Sequence, residues 1–211
     1  MTTRTTGDPT HDAMRVATFW HPRAEGASHK ILVGACLTFH ELGYHGASTR
    51  MIAQRAQMSA GSLYVHFASK EDLFFRIVMD SHAAALEALR QAVGLGTDPA
   101  ERLRLFVATY ATWHAEWNVI ARPVHNDLHV LTDEHFEEVV AVRRATMSLL
   151  DEILGAGVDA GQFSVSDLPG TRRLFMSVCI DVCRWYVEGG ERSATSIGLQ
   201  YSELALKFVR S

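Results

Sequence analysis

Ser48-Thr49-Arg50-Met51-Ile52-Ala53-Gln54-Arg55-Ala56-Gln57-Met58-Ser59-Ala60-Gly61-Ser62-Leu63-Tyr64-Val65-His66-Phe67 is the stretch that decides the fold of this chain of 211 residues. It reads as two short helices joined by a tight turn. The first covers residues 48–56 or 49–56. The second covers 60–67, with Ser59 as its N-cap. Ile52 and Ala53 on the first helix face Leu63 and Phe67 on the second. The small side chains of Ala53 and Ala56 permit a close crossing. That length and spacing are those of a helix-turn-helix, whose second helix enters the major groove of duplex DNA with its first residues at the base edges.

The residue types on the exposed positions suit that partner. Ala60, Gly61, Ser62, Tyr64 and His66 line the outer side of the second helix. Small side chains at its start permit close backbone approach, and Ser62 can bond a base or a phosphate. Tyr64, His66 and, at the next helix start, Lys70 are of a length to reach phosphates. Thr49 and Arg50 stand at the start of the first short helix, where unbonded N–H groups favour a phosphate.

Working outward, residues 28–42 form an amphipathic helix whose apolar face is Ile31, Leu32, Ala35, Cys36 and Phe39. Gly43 is its left-handed stop. Residues 1–27, punctuated by Gly7, Pro9, Pro22 and Gly26, are expected to be a flexible arm. Downstream, Ser69 caps a long helix to about Val93, with Glu71 and Asp72 in the first turn where the helix dipole favours anions. Gly94 and Gly96 end it. Asp98-Pro99-Ala100-Glu101 is a capping box with proline at the first helical position, and it starts a helix to about Trp117. A broken helical stretch covers 119–131, interrupted by Pro123. Thr132 caps a helix to about Leu154, Gly155, Gly157 and Gly161 make a loop, and two helices at 169–188 and 194–209 close the chain. No segment alternates apolar and polar residues with β-branched enrichment, so no strand is expected. The fold class is all-α: a three-helix helix-turn-helix domain at 28–75, then a C-terminal helical bundle at 76–211.

Composition narrows the function classes. Apolar residues make up 47% of the chain, ample for a buried core. No apolar run approaches the roughly 18 residues of a membrane span. The polar Met1–Thr10 stretch offers no secretory signal. Three cysteines make no disulfide framework. These features point to a soluble cytoplasmic protein with reduced thiols. Net charge is −4, which as an average disfavours nucleic acid. Residues 1–76, however, hold 8 basic and 6 acidic side chains, against 12 and 18 in 77–211. The N-terminal part is the less acidic end, and phosphate contact needs only a few local cations.

The run Ile31-Leu32-Val33-Gly34-Ala35-Cys36-Leu37-Thr38-Phe39-His40-Glu41-Leu42-Gly43-Tyr44, with the two-helix stretch above and Ser69-Lys70-Glu71-Asp72-Leu73, resembles the DNA-binding domain of the TetR family of bacterial transcriptional repressors. The match has no gap and includes the whole motif. One departure falls in the turn. The family usually has Ala-Gly-Val-Ser there, and this chain has Ala56-Gln57-Met58-Ser59, so Gln57 must accept a conformation glycine takes more readily. The resemblance implies a homodimer on a palindromic operator and a C-terminal region, 76–211, for ligand binding and dimerisation.

In that region Phe106, Tyr110, Trp113 and Trp117 share one helix, and Phe175, Met176, Cys179, Cys183 and Tyr186 share a face of a later one. Large side chains on facing helices either surround a cavity for an apolar ligand or simply fill the core. Arg143-Arg144, Gly161-Gln162-Phe163 and Arg184-Trp185-Tyr186 resemble a subgroup that responds to fatty-acyl or sterol-derived CoA thioesters. Arg143, Arg144 or Arg184 would then meet an anionic head; the alternatives are solvated arginines and a local Asp181–Arg184 pair. On the last two helices, Ile197, Tyr201, Leu204, Ala205 and Phe208, with Val178, Val182 and Trp185, form apolar stripes. They suit a four-helix dimer interface, or burial within one subunit.

Other chemistry finds little support. His125 and His129 are four apart with Asp127 between them, a spacing open to a metal, a ligand or neither. There is no CxxC, no Gly-rich phosphate loop, no Gly-x-Ser-x-Gly elbow and no catalytic triad, so neither an enzyme nor a cofactor is expected. The expected function is a DNA-binding transcriptional repressor, released from its operator by a small apolar or acyl-CoA-like effector. The alternative is an all-helical lipid or acyl-CoA binding protein whose N-terminal hairpin is structural and which has no affinity for duplex.

Overall fold

A computed structural model describes residues 8–210. Among them are ten α-helices, one 3-10 turn and no strand. The chain divides into two compact units. The first is the chain up to Ser81 with Val119–Val139, and the second is His82–Asn118 with the chain from Val140 onward.

The first unit opens with α1, Pro9–Trp20. This corrects the expected flexible arm over the described part of 1–27; residues 1–7 lie outside the described residues. Pro9 does not break a helix here. It occupies the start, where no N–H is needed, and the Asp8 carboxylate accepts from Thr10 N at 2.9 Å. Val16, Phe19 and Trp20 are buried against α2, Gly26–Gly46. The Trp20 indole N–H donates to Cys36 Sγ at 3.3 Å. Along α2 the expected face is the buried one: Ile31, Leu32, Ala35, Cys36 and Phe39. Gly43 takes φ 69°, and the break leaves Tyr44 N–H without a helical acceptor. Asp127 supplies one at 3.1 Å.

The two short helices are α3, Thr49–Arg55, and α4, Ala60–His66. Ser48 and Ser59 cap them, accepting from Met51 N at 3.2 Å and Ser62 N at 3.1 Å. Ile52, Ala53 and Leu63 are buried between them and α2. Gln57 sits at φ 58°, the one non-glycine residue with positive φ among the described residues. The closest crossing is at Gly34 on α2: a Cβ there would stand 3.1 Å from Ile52 O and 3.3 Å from Ala56 N. The first turns of α5, Lys70–Val93, follow, with Ser69 Oγ accepting from Asp72 N. Most of α7, Asn118–Asn126, the 3-10 turn Leu128–Val130 and the start of α8, Asp133–Asp159, complete this unit.

The second unit is built on α6, Pro99–Glu116, whose Leu103, Phe106, Val107, Tyr110, Ala111, Trp113, His114 and Ala115 are all buried. A helix apolar over so much of its circumference belongs in the middle of a bundle, and α9, Leu168–Trp185, and α10, Ala194–Arg210, pack on it. Asp98 accepts from Glu101 N at 2.9 Å, while Glu101 reaches back to Thr97 N and Oγ at 2.8 Å each. Gly198 of α10 lies so close to α6 that a Cβ would come within 2.5 Å of Ala108 O. The loop expected from Gly155 is instead the last turns of α8, which runs to Asp159. Gly157 is there because the Phe163 ring occupies the space of its side chain, 1.9 Å from where a Cβ would stand.

Candidate nucleic-acid interface and effector region

The sequence leads one to expect three sets of functional side chains, for DNA, an effector and a second subunit. On the first unit, Leu63 anchors α4 inward while Ala60, Gly61, Tyr64, Val65 and His66 are exposed. Ser59 and Ser62 are tied to each other, Oγ to Oγ, at 2.8 Å, as well as through the cap. The Tyr64 hydroxyl lies 3.1 Å from Thr49 Oγ1, which joins the outer edge of α4 to the start of α3. Ser28 Oγ lies 3.2 Å from His66 Nδ1. Arg50 is exposed and makes no hydrogen bond or ion pair among the described residues. Its charge is available to a phosphate. Arg55, by contrast, is paired with Glu41 at 2.7 Å.

Lys70 departs from its expected place among the phosphate contacts. Its ammonium donates to Tyr44 O at 2.8 Å and Ala47 O at 2.9 Å, and stands 4.1 Å above the Tyr44 ring. Burial holds its pKa below the usual lysine value. Lys70 fixes the chain between the end of α2 and the start of α3. Sequence reasoning also passed over Val65. It is 80% exposed, and the missed signal was an apolar residue on a helix face otherwise given to polar contacts.

In the same unit Glu71 forms a second tie. Its carboxylate accepts from Thr132 N at 3.1 Å and from the His135 Nδ1–H at 2.9 Å, and the His135 ring stacks on Phe75 at 3.8 Å. The hydrogen bond from His135 to Glu71 raises the histidine pKa. Glu71, Asp72 and His135 form the one cluster among the described residues with metal-ligand spacing. It does not include His125 or His129, which do not share a helix: α7 ends at Asn126 and His129 lies in the 3-10 turn.

On the second unit Phe106, Tyr110 and Trp113 are buried on α6, and Phe175, Cys179 and Cys183 on α9. Tyr186 is buried, while Met176 and Trp117 are half-buried. The thiols are reduced, and burial pushes Cys179 up to about 12. Two histidines lie deep in this unit. The His114 Nδ1–H donates to Tyr110 O at 2.8 Å, and burial holds its pKa down at about 4. Burial, then the charges of Arg143 and His114, bring His82 down to about 3. Arg143 is half-buried near His82 and Tyr110 and makes no hydrogen bond or ion pair among the described residues. Arg184 is paired with Asp181 at 3.2 Å, the local alternative weighed from its spacing.

An apolar face covers one side of α9 and α10. Val178, Trp185, Leu204 and Phe208 are exposed and Tyr201 half-exposed. Leu174, absent from the sequence-based set, is exposed there too. A groove of about 320 Å³ runs between Leu174, Val178, Tyr201, Leu204 and Phe208. Val182 and Ile197 are corrected: both are buried within the subunit, at 0% and 1% exposure, so they pack the core.

Comparison with known proteins agrees with this arrangement. The family model "Bacterial regulatory proteins, tetR family" matches residues 31–77, and "Tetracyclin repressor-like, C-terminal domain" matches 96–209. The chain is 28% identical over 183 residues to the HTH-type transcriptional repressor KstR2 of Rhodococcus jostii, covering 86% of this chain and 90% of that protein. A bacterial regulatory protein of the tetR family from Rhodococcus RHA1 superposes with a TM-score of 0.84 at 33% identity, covering 88% of this chain and 98% of that one. AibR, solved in complex with isovaleryl coenzyme A and operator DNA, shares the fold with a TM-score of 0.77 at 20% identity, over 87% of this chain and 98% of that one. With its N-terminal motif and its C-terminal bundle both matched, the chain belongs to the TetR family, whose members are DNA-binding transcriptional regulators and not enzymes.

Proposed function

We propose that this protein is a dimeric cytoplasmic repressor that holds a palindromic operator through α3 and α4. It leaves the operator when an acyl-CoA or a similar apolar-tailed anion binds the C-terminal bundle. The exposed face of α4 carries the DNA half of this reading, with the unpaired Arg50 beside it. Thr49, Arg50, Ser59, Ser62, Tyr64 and His66 would hold the phosphates and base edges, with Ala60 and Gly61 at the closest approach. Two copies joined across the exposed face of α9 and α10 would set two such helices about 34 Å apart, one turn of duplex.

The effector half rests on Arg143. A half-buried guanidinium with no acid partner stands near Tyr110, in a unit whose apolar core includes Phe106, Trp113 and Phe175. Such a site accepts an anionic head on an apolar body. The likeness to AibR, solved with isovaleryl coenzyme A, points the same way. The effector acts only through its different affinity for the DNA-bound and released forms. The experiment selects bound duplexes from a random pool, then challenges the winning complex with acyl-CoA and sterol-CoA thioesters in a mobility-shift assay. Two chains per palindrome and release by a thioester are expected. Salt-independent or absent duplex binding overturns the DNA reading; release by an unrelated class alone overturns the effector.

A further inference from the structure

Two features of α4 have no cause inside the fold. Val65 is the most exposed large apolar side chain among the described residues, at 80%. Its β-branched side chain does not favour a short helix, and it gains no packing there. Gly61, one turn earlier on the same face, has no positive φ. A Cβ added to it would meet only Ser59 Oγ, at 3.9 Å. Alanine would fit the space and favour the helix, so neither backbone conformation nor internal packing asks for glycine.

Both features have one explanation if another surface comes up against the Gly61–Val65 ridge. The missing Cβ lets the helix approach closely, and the valine puts two methyl groups on whatever it meets. In the major groove the apolar feature on a base edge is the C5-methyl of thymine. We infer that Val65 reads a thymine methyl in each operator half-site, with Gly61 setting the distance of approach. This rests on the proposed role of α4 as the base-reading helix, and it names the determinant of base preference on it.

The test uses the duplex selected for the full-length protein. Each thymine of a half-site is replaced in turn by deoxyuridine, which lacks the methyl group. At one position the wild-type protein is expected to lose about fourfold in affinity per half-site, the worth of one buried methyl. Val65→Ala is expected to bind the thymine duplex about that much more weakly and to lose the distinction between thymine and deoxyuridine. Gly61→Ala is expected to keep or raise the thermal midpoint while losing about tenfold or more on the selected duplex. The inference is overturned if Val65→Ala still discriminates the two bases, or if no deoxyuridine replacement weakens the wild-type protein. It also falls if Gly61→Ala binds the selected duplex as the wild type does. Failure to bind any duplex removes the proposed function itself, and this inference with it.

Discussion

Lys70 and Arg50 both carry a positive charge near a helix start in the unit that holds the motif, yet their surroundings give them different roles. Arg50 is exposed with no partner among the described residues, whereas the Lys70 ammonium is held by two backbone carbonyls and the Tyr44 ring. Arg50→Ala is expected to flatten the dependence of log affinity on log salt by about one unit, as removal of a phosphate contact does. Lys70→Met is expected to leave that slope unchanged and to cost about 1–3 kcal/mol of stability, because two carbonyls lose their donor. Equal flattening by both variants in a salt titration would return Lys70 to the phosphate contacts. The sequence was informative about the motif and silent about this difference. Ser48, Ser59 and the positive φ of Gln57 follow from local cap and turn chemistry. What holds the ammonium of Lys70 depends on residues more than twenty positions away, which local spacing does not reveal.

At the scale of the helix, the misread elements share a cause. Proline and glycine mark both ends and interiors, and which one applies depends on neighbours. Pro9 starts α1 instead of preceding it, since Asp8 caps the turn. Gly157 continues α8 because the Phe163 ring fills its side-chain space, overriding the penalty glycine carries in a helix. Gly198 is the same case on α10. Alanine there gains about 1 kcal/mol in helix propensity but must push α10 away from Ala108 O and Thr112 Oγ1 on α6. The net effect of Gly198→Ala is expected to be destabilising by about 1–3 kcal/mol, as for other overpacked cores. A urea midpoint equal to or above the wild-type value would show that α6 and α10 do not meet at this glycine. The contrast with Gly61, where the interior leaves room, separates a glycine required by packing from one that packing does not require.

For the molecule as a whole, helical periodicity finds apolar faces but does not say whether a neighbour or a second subunit covers them. Val182 and Ile197 belong to the core, and Val178 and Leu204, on the same two helices, face outward. Burial also sets the response to pH. His82 and His114 are held down at about 3 and about 4, with burial the leading cause for both. Unfolded, they take up protons near pH 6.5, and folded they do not until well below. Their contribution is therefore fully present above about pH 6.5 and is lost as pH falls. Below that pH the unfolded chain holds protons that the folded chain withholds, so stability falls as acid is added. His135 has the opposite sign. Its hydrogen bond to Glu71, with the charges of Glu71, Asp72 and Glu138, raises its pKa in the folded chain. That contribution is present below its unfolded pKa and is lost as pH rises through the folded one. Urea unfolding from pH 4.5 to 8.5 is thus expected to show a maximum near neutrality, with the steeper fall on the acid side. His135→Gln should remove the shallow alkaline decline and leave the acid limb. His114→Gln should make the acid limb shallower, whatever it does to the absolute stability. A wild-type stability unchanged between pH 7 and 5 would mean that neither histidine is kept neutral by the core.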